Sequence, residues 1–290
     1  MSTLRSLMAR CLAAGALVLG TPWVTGGGAS PGRMERQAPG PAVFEAARAA
    51  VLPRDALYQD ALYQDALYQV PYNGRFTFTR IRYNAGGGSL RGWGRRGGWS
   101  NAWNHDYPDA DRNLQEILAE FTDLDPNTHG SNVLDLESRE ILRHPILYMS
   151  EPGFWSITEE GARNLREHLL KGGMLIFDDF EAEQWYNMAA QVERALPEGE
   201  WVEIGPEHPI FDTFFYVEDI YVPHPLVRVT PRYMAILEDN HPTGRVMVLA
   251  NHNSDLAEYW EYAARGYFPV DPTNDAFRLG VNYIIYGMTR

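Results

Sequence analysis

Cysteine and lysine are nearly missing from this chain of 290 residues. The one cysteine, Cys11, lies in an apolar run near the N-terminus, and Lys171 is the one lysine among 25 basic residues. Beyond residue 30 there is no thiol at all. That excludes disulfides, thiolate zinc sites, iron–sulfur ligation and a cysteine nucleophile from the rest of the chain. Schiff-base chemistry has a single candidate residue. Positive charge is in deficit too: the formal net charge is −13. Nucleic acid and anionic lipid are therefore not expected partners, because both need basic patches. No run within residues 31–290 approaches the roughly 20 apolar residues of a membrane-spanning helix.

Familiar catalytic signatures are missing as well. Residues 72–290 contain no G-x-S-x-G elbow, and Ser150, which follows a predicted strand, has no glycine two residues before it. The glycines at 86–98 lead into tryptophans rather than a helix start, which argues against dinucleotide binding. No H-E-x-x-H spacing occurs.

What is present divides into three parts. Residues 1–30 read as a signal peptide: Arg5 and Arg10 precede an apolar stretch of about 14 residues, Cys11 to Val24, followed by small residues. The expectation is export to the periplasm or the extracellular space, with an uncleaved anchor as the rival reading. Loss of this segment removes two arginines and no acid, so the remainder is more acidic still. Residues 31–71 read as a low-complexity tether containing DALYQ three times in succession at 55–69. A period of five fits neither a helix repeat of about 3.6 nor a strand repeat of about 2, so the copies line no surface. They are read as tolerated repetition, or else as a docking segment with spaced tyrosines. Residues 72–290 carry the globular pattern.

In that part, Phe76 to Tyr83 alternates as a strand, and Asp111 to Thr122 spaces Leu114, Ile117, Leu118 and Phe121 as an amphipathic helix. Asp109 or Asp111 is expected to cap it. Further strands are expected at ILYM (146–149), MLIF (174–177), Trp201–Ile204 and Arg245–Ala250, and further helices after Ser156 or Thr158, at 185–196 and at 276–288. Alternating strands and helices imply a three-layer α/β domain with a mostly parallel open sheet.

The segments FTFTRIRY, DYPDADRN, LREHLLKGGMLIFDDF, HPIFDTFFY and AFRLGVNYIIYG together resemble the family catalogued as domain of unknown function 4159, over about residues 72–288. That family is similar in fold to the class I glutamine amidotransferases and the ThuA-like proteins of trehalose utilisation. The resemblance implies a glutamine amidotransferase-like (flavodoxin-like) sheet, and it carries over no catalytic residue. Amidotransferases place a cysteine on the tight turn after a central strand. Here the KGGMLIF strand runs into Asp178-Asp179, so glutamine hydrolysis through a thioester is not expected.

Ligands of open parallel sheets bind beyond the carboxyl ends of the strands. Those ends carry Arg82 and Tyr83, then Trp99, Trp103, His105 and Asp106; Ser150 and Glu151; Asp178 and Asp179, with Glu181 beyond; and Asn251, His252 and Asn253, then Asp255. Asp178, Asp179, His252 and Glu151 are the catalytic candidates. Asp178, Asp179 and His252 are candidate ligands for a divalent metal, although no cofactor is evident from a motif. Arg82, Tyr83, Trp99, Trp103, His105, Asp106, Asn251 and Asn253 are candidate ligand-binding residues. Bland roles compete with each: Asp178-Asp179 as a cap or turn, His208 before Pro209 as a turn residue, the tryptophans as core. Two functions follow. One is a non-catalytic binding or assembly module of the cell envelope, partnered by an envelope protein or a carbohydrate. The other is a hydrolase acting on a carbohydrate or related envelope substrate through Asp178, Asp179 and His252. Convergence of Asp178 or Asp179 with His252 and with His105 or Glu151 around one cleft favours the second.

Overall fold

The computed structural model describes residues 70–84 and 99–290. In chain order these form β1 (Thr79–Arg82), α1 (Asp109–Phe121), β2 (Asn132–Asp135), β3 (Ile146–Ser150), α2 (Glu159–Leu170), β4 (Met174–Phe180), α3 (Gln184–Ala195), β5 (Trp201–Glu203), β6 (Arg232–Leu237), β7 (Val246–His252), α4 (Leu256–Tyr262) and α5 (Val270–Thr289), joined in places by short 3-10 turns. The expected signal peptide, the DALYQ repeats and most of the Gly/Trp loop lie outside the described residues, as does the side chain of Trp99.

The strands make one sheet in the order β2-β1-β3-β4-β7-β6-β5. The first five run parallel, and β6 is antiparallel to both of its neighbours. This is the expected mostly parallel α/β sheet, closed on one side by an antiparallel edge. Helices cover both faces. Residues of α1, α4 and α5, among them Leu114, Leu118, Leu256, Phe277 and Ile284, pack on one face with Tyr148, Ile176 and Leu249. Residues of α2 and α3, among them Leu165, Leu169, Met188 and Val192, pack on the other with Leu147, Leu175, Phe177 and Val248. Strands β3, β4 and β7 are buried along their whole length, which is why their sequences read as continuous apolar runs rather than alternating ones. Each fully buried leucine, isoleucine or phenylalanine contributes roughly 1.5–3 kcal/mol.

Local chemistry sets the helix ends. Of the two expected caps for α2, Thr158 takes the role, its hydroxyl accepting from Gly161 N. At α1 the expectation of an aspartate cap fails: the cap position is Pro108, with no side-chain bond, and Asp111 turns inward to Arg80 instead. His208 is the expected turn residue, its Nδ1 accepting from Ile210 N. Gly172 leaves α2 at φ 103°, and a side chain on Gly173 would collide with the His168 ring. Among the described residues, no helix is long and apolar enough to cross a membrane.

Candidate functional site

The geometry at the carboxyl ends of β3, β4 and β7 begins with a bulge. Phe177 pairs with Ala250 and Phe180 with His252, so Asp178 and Asp179 together face Asn251 alone. Such a bulge re-aims the side chains of one strand. Phe177 and Phe180 both enter the α2/α3 core, and both aspartates leave it. Beta-strand β4 therefore continues through the two aspartates instead of ending at them, and the two have different work.

Asp178 holds the fold. Its Oδ1 accepts from Asn251 at 3.1 Å, and its Oδ2 accepts from Tyr148 Oη at 3.1 Å, Leu256 N at 2.9 Å and Ala257 N at 3.1 Å. It thus ties the start of α4 to the sheet. Burial pushes its carboxyl up to about 7, against these donors. Asn251 belongs to the same anchor.

Asp179, at φ 59°, turns instead onto His105 Nδ1, and its Oδ2 also accepts from Ser150 Oγ at 3.2 Å. His105 Nδ1 lies 3.6 Å from Asp106 and 3.9 Å from Glu151, while Nε2 lies 4.0 Å from Glu258. Burial opposes a charge on this imidazole, but Asp106, Asp179 and Glu151 outweigh it and hold His105 well above the ordinary histidine range.

A second group of acids comes from α4. Asp255 caps this helix through Oδ1, which accepts from Glu258 N at 3.0 Å, and its Oδ2 is buried without a hydrogen-bond partner. Glu258 and Glu261 follow on the same helix face at spacings of three. Burial, reinforced by Asp106, pushes Glu258 up to about 9 and Glu261 up to about 8. Burial drives Asp255 well up as well, with Asp179 and Asp106 adding to it.

Asp106 sits at the centre. Its side chain is 0% exposed; its Oδ2 lies 3.6 Å from His105 Nδ1, and the Glu258 and Glu261 carboxyl groups stand within hydrogen-bond reach of it. Buried carboxyl groups brought this close cost several kcal/mol unless a proton or a cation is shared among them. The nearest arginine cannot supply the charge. Arg80 is buried against Asp111 at 2.6 Å, and its remaining nitrogen donates to the carbonyls of Trp103 at 3.1 Å and His105 at 2.8 Å. Four overlapping triads have ligand atoms within 4.8 Å of one another: His105–Asp106–Asp179, His105–Asp255–Glu258, Asp179–His224–Asp255 and Asp106–Glu258–Glu261. Oxygen-rich sets with one imidazole suit magnesium, calcium, manganese or zinc.

Backbone strain concentrates here. Seven described non-glycine residues have positive φ, and five of them, Asp106, Glu151, Asp179, Ala182 and Asn253, lie around this edge. Each costs of order 1–3 kcal/mol and is held by its surroundings. For Glu151 one hold is Tyr83, whose hydroxyl donates to the Glu151 carbonyl at 2.6 Å.

The chain thus gathers Asp179, His105, Asp106, Glu151 and Asp255 from the residues singled out in the sequence, with Ser150 and Tyr83 bonded to Asp179 and Glu151 at their side. It does not gather His252, Arg82, Trp103 or Asn253. His252 Nε2 faces the Ala182 carbonyl at 3.1 Å, and its ring packs on Phe180 and Trp185. It lines a separate cleft of about 340 Å³ with Tyr186, Arg232 and Met234. Arg82 pairs with Asp135 at 2.9 Å, Trp103 is core, and Asn253 braces Ala182 N and the Thr230 carbonyl. Sequence reasoning missed His224, Glu258 and Glu261. Two of these had a visible signal: Asp255, Glu258 and Glu261 repeat every three residues at the opening of a helix.

No curated protein matches the chain. The family described as Domain of unknown function (DUF4159) matches residues 77–288, which contain every residue of the cluster. With that match over most of its length, the chain belongs to the DUF4159 family.

Proposed function

We propose that the protein is an exported hydrolase that uses a divalent cation to cleave a neutral, carbohydrate-type substrate of the cell envelope. The observation that carries this reading is Asp106, a fully buried carboxylate crowded against two further carboxyl groups, Glu258 and Glu261, with His105 beside it. A cation there meets the missing charge and lowers the pKa of a bound water toward neutrality. Glu151 stands at the rim, with its side chain 18% exposed and 3.9 Å from His105, and is placed to take a proton from that water.

A neutral substrate suits the side chains present. Six carboxyl groups, from Asp106, Glu151, Asp179, Asp255, Glu258 and Glu261, share the site with two histidines and can exchange hydrogen bonds with hydroxyl groups, while Arg80 is committed to Asp111 rather than left to hold an anion. An aromatic shelf adjoins the acids: Tyr262 lies beside Glu261 and Glu258, with its ring 5.3 Å from that of the exposed Tyr267. Sugar rings stack on such faces. Export rests on the signal-like residues 1–30.

A non-catalytic binding or assembly module of the envelope is the second reading. It is favoured by Asp178 and His252, two of the four catalytic candidates, which are both engaged in structural contacts. The test is a panel of neutral oligosaccharides and chromogenic glycosides, with and without Mn²⁺. Turnover that needs the metal and is lost in Glu151→Gln, with metal binding retained, supports the hydrolase. Sugar binding without turnover supports the module.

A further inference from the structure

Two of the four triads share no residue. Asp179, His224 and Asp255 form one; Asp106, Glu258 and Glu261 form the other. Each also centres on its own buried carboxylate: Asp255, whose Oδ2 has no hydrogen-bond partner, in the first, and Asp106, crowded against the carboxyl groups of Glu258 and Glu261, in the second. Asp255 is 1% exposed and the Asp106 side chain 0%. One cation placed on either set leaves the other set of buried carboxyl groups without a metal. We infer that the site holds two divalent cations at once, one on Asp179, His224 and Asp255 and one on Asp106, Glu258 and Glu261, with His105 between them. This rests on the proposed cation-dependent reading and deepens it.

The two positions differ in chemistry. The first includes an imidazole and favours manganese or zinc; the second is all carboxylate and accepts calcium or magnesium equally well. His224 now accepts a long 3.2 Å bond on Nδ1 from Leu226 N. Ligation through Nε2 moves the ring proton to Nδ1 and exchanges that bond for the metal. His105 touches members of both sets, Asp179 on one side and Asp106 and Glu258 on the other. It is a positioning residue that keeps the two groups of acids apart. Two cations also balance the six carboxyl groups far better than one.

The experiment is equilibrium dialysis of the purified protein against Mn²⁺ alone, with bound metal counted by elemental analysis. Two ions per chain are expected. Excess Ca²⁺ should displace one of them and leave the other. His224→Gln should lose at least tenfold in affinity at one position only, and Glu261→Gln at the other. A stoichiometry of one, with both variants weakening that single ion, overturns the two-cation inference and leaves the cation-dependent reading standing. A stoichiometry of zero overturns both, and the carboxyl groups then hold protons. The calcium competition uses the unmodified protein, so the inference stays testable if a variant fails to fold.

Discussion

Arg80 donates to the carbonyl of His105 at 2.8 Å from a fully buried guanidinium, and so fixes the segment that carries His105 and Asp106. The other end of that guanidinium holds Asp111, which is 1% exposed. Burial weakens the charge, but Asp111 more than restores it. Arg80→Met should destabilise the protein by about 3–5 kcal/mol in urea unfolding, because it strands the Asp111 carboxylate. The double variant Arg80→Met with Asp111→Leu should regain at least half of that. A loss below about 1 kcal/mol in the single variant would show that the clamp is not structural.

Asp178 and Asp179 are neighbours in sequence with opposite expected responses. Asp178→Ala removes four accepted hydrogen bonds and the tie to α4, and should cost about 2–4 kcal/mol of stability. Asp179→Asn keeps a residue that tolerates φ 59° and removes one charge from a crowded acidic site. It should leave the melting temperature unchanged or raised and weaken Mn²⁺ binding at least tenfold. Equal destabilisation by both substitutions contradicts the division of labour.

Most of the sheet could be read in the sequence. Strands β3, β4 and β7 announce themselves as apolar runs, and α1 and α2 by their spacing. Beta-strand β2 is only Asn132–Asp135, too short to show a period, and β6 was hidden by its proline-rich approach. The site was half legible. The strand-end rule pointed to Asp179, His105, Asp106 and Glu151. It could not show that a bulge sends Asp178 toward α4, nor that His252 turns to the Trp185 side. Pairing register decides both, and a single residue of slip reverses them. Helix α4 is seven residues long and with its cap Asp255 supplies three of the six acids, yet its short apolar pattern merges with the loop around it.

His168 should make the fold sensitive to acid. Burial lowers its pKa to about 4, below the 6.5 of the unfolded chain, despite the carbonyl of Met174 at 3.4 Å. The folded protein therefore keeps it neutral. Stability is complete above about pH 6.5 and falls as the pH drops toward 4, by about 3 kcal/mol in all, as the unfolded chain takes up a proton that the folded one refuses. His168→Leu should flatten the melting temperature between pH 6.5 and pH 4. A slope as steep as that of the unmodified protein assigns the acid sensitivity elsewhere.

His252→Phe serves as the control for the site. The ring packs between Phe180 and Trp185, which a phenyl group can mimic, and only the bond to the Ala182 carbonyl is lost. A cost of about 1 kcal/mol is expected, with Mn²⁺ affinity unchanged within twofold. A tenfold loss of affinity would return His252 to the cation site.

The most direct measurement is anomalous scattering from crystals of the protein soaked in Mn²⁺. The expected result is strong anomalous density within the acidic cluster, in contact with Asp106, Asp179 and Asp255. Density elsewhere, or none at the cluster while Asp106 and Asp255 keep their present positions, would contradict a cation site at the strand ends.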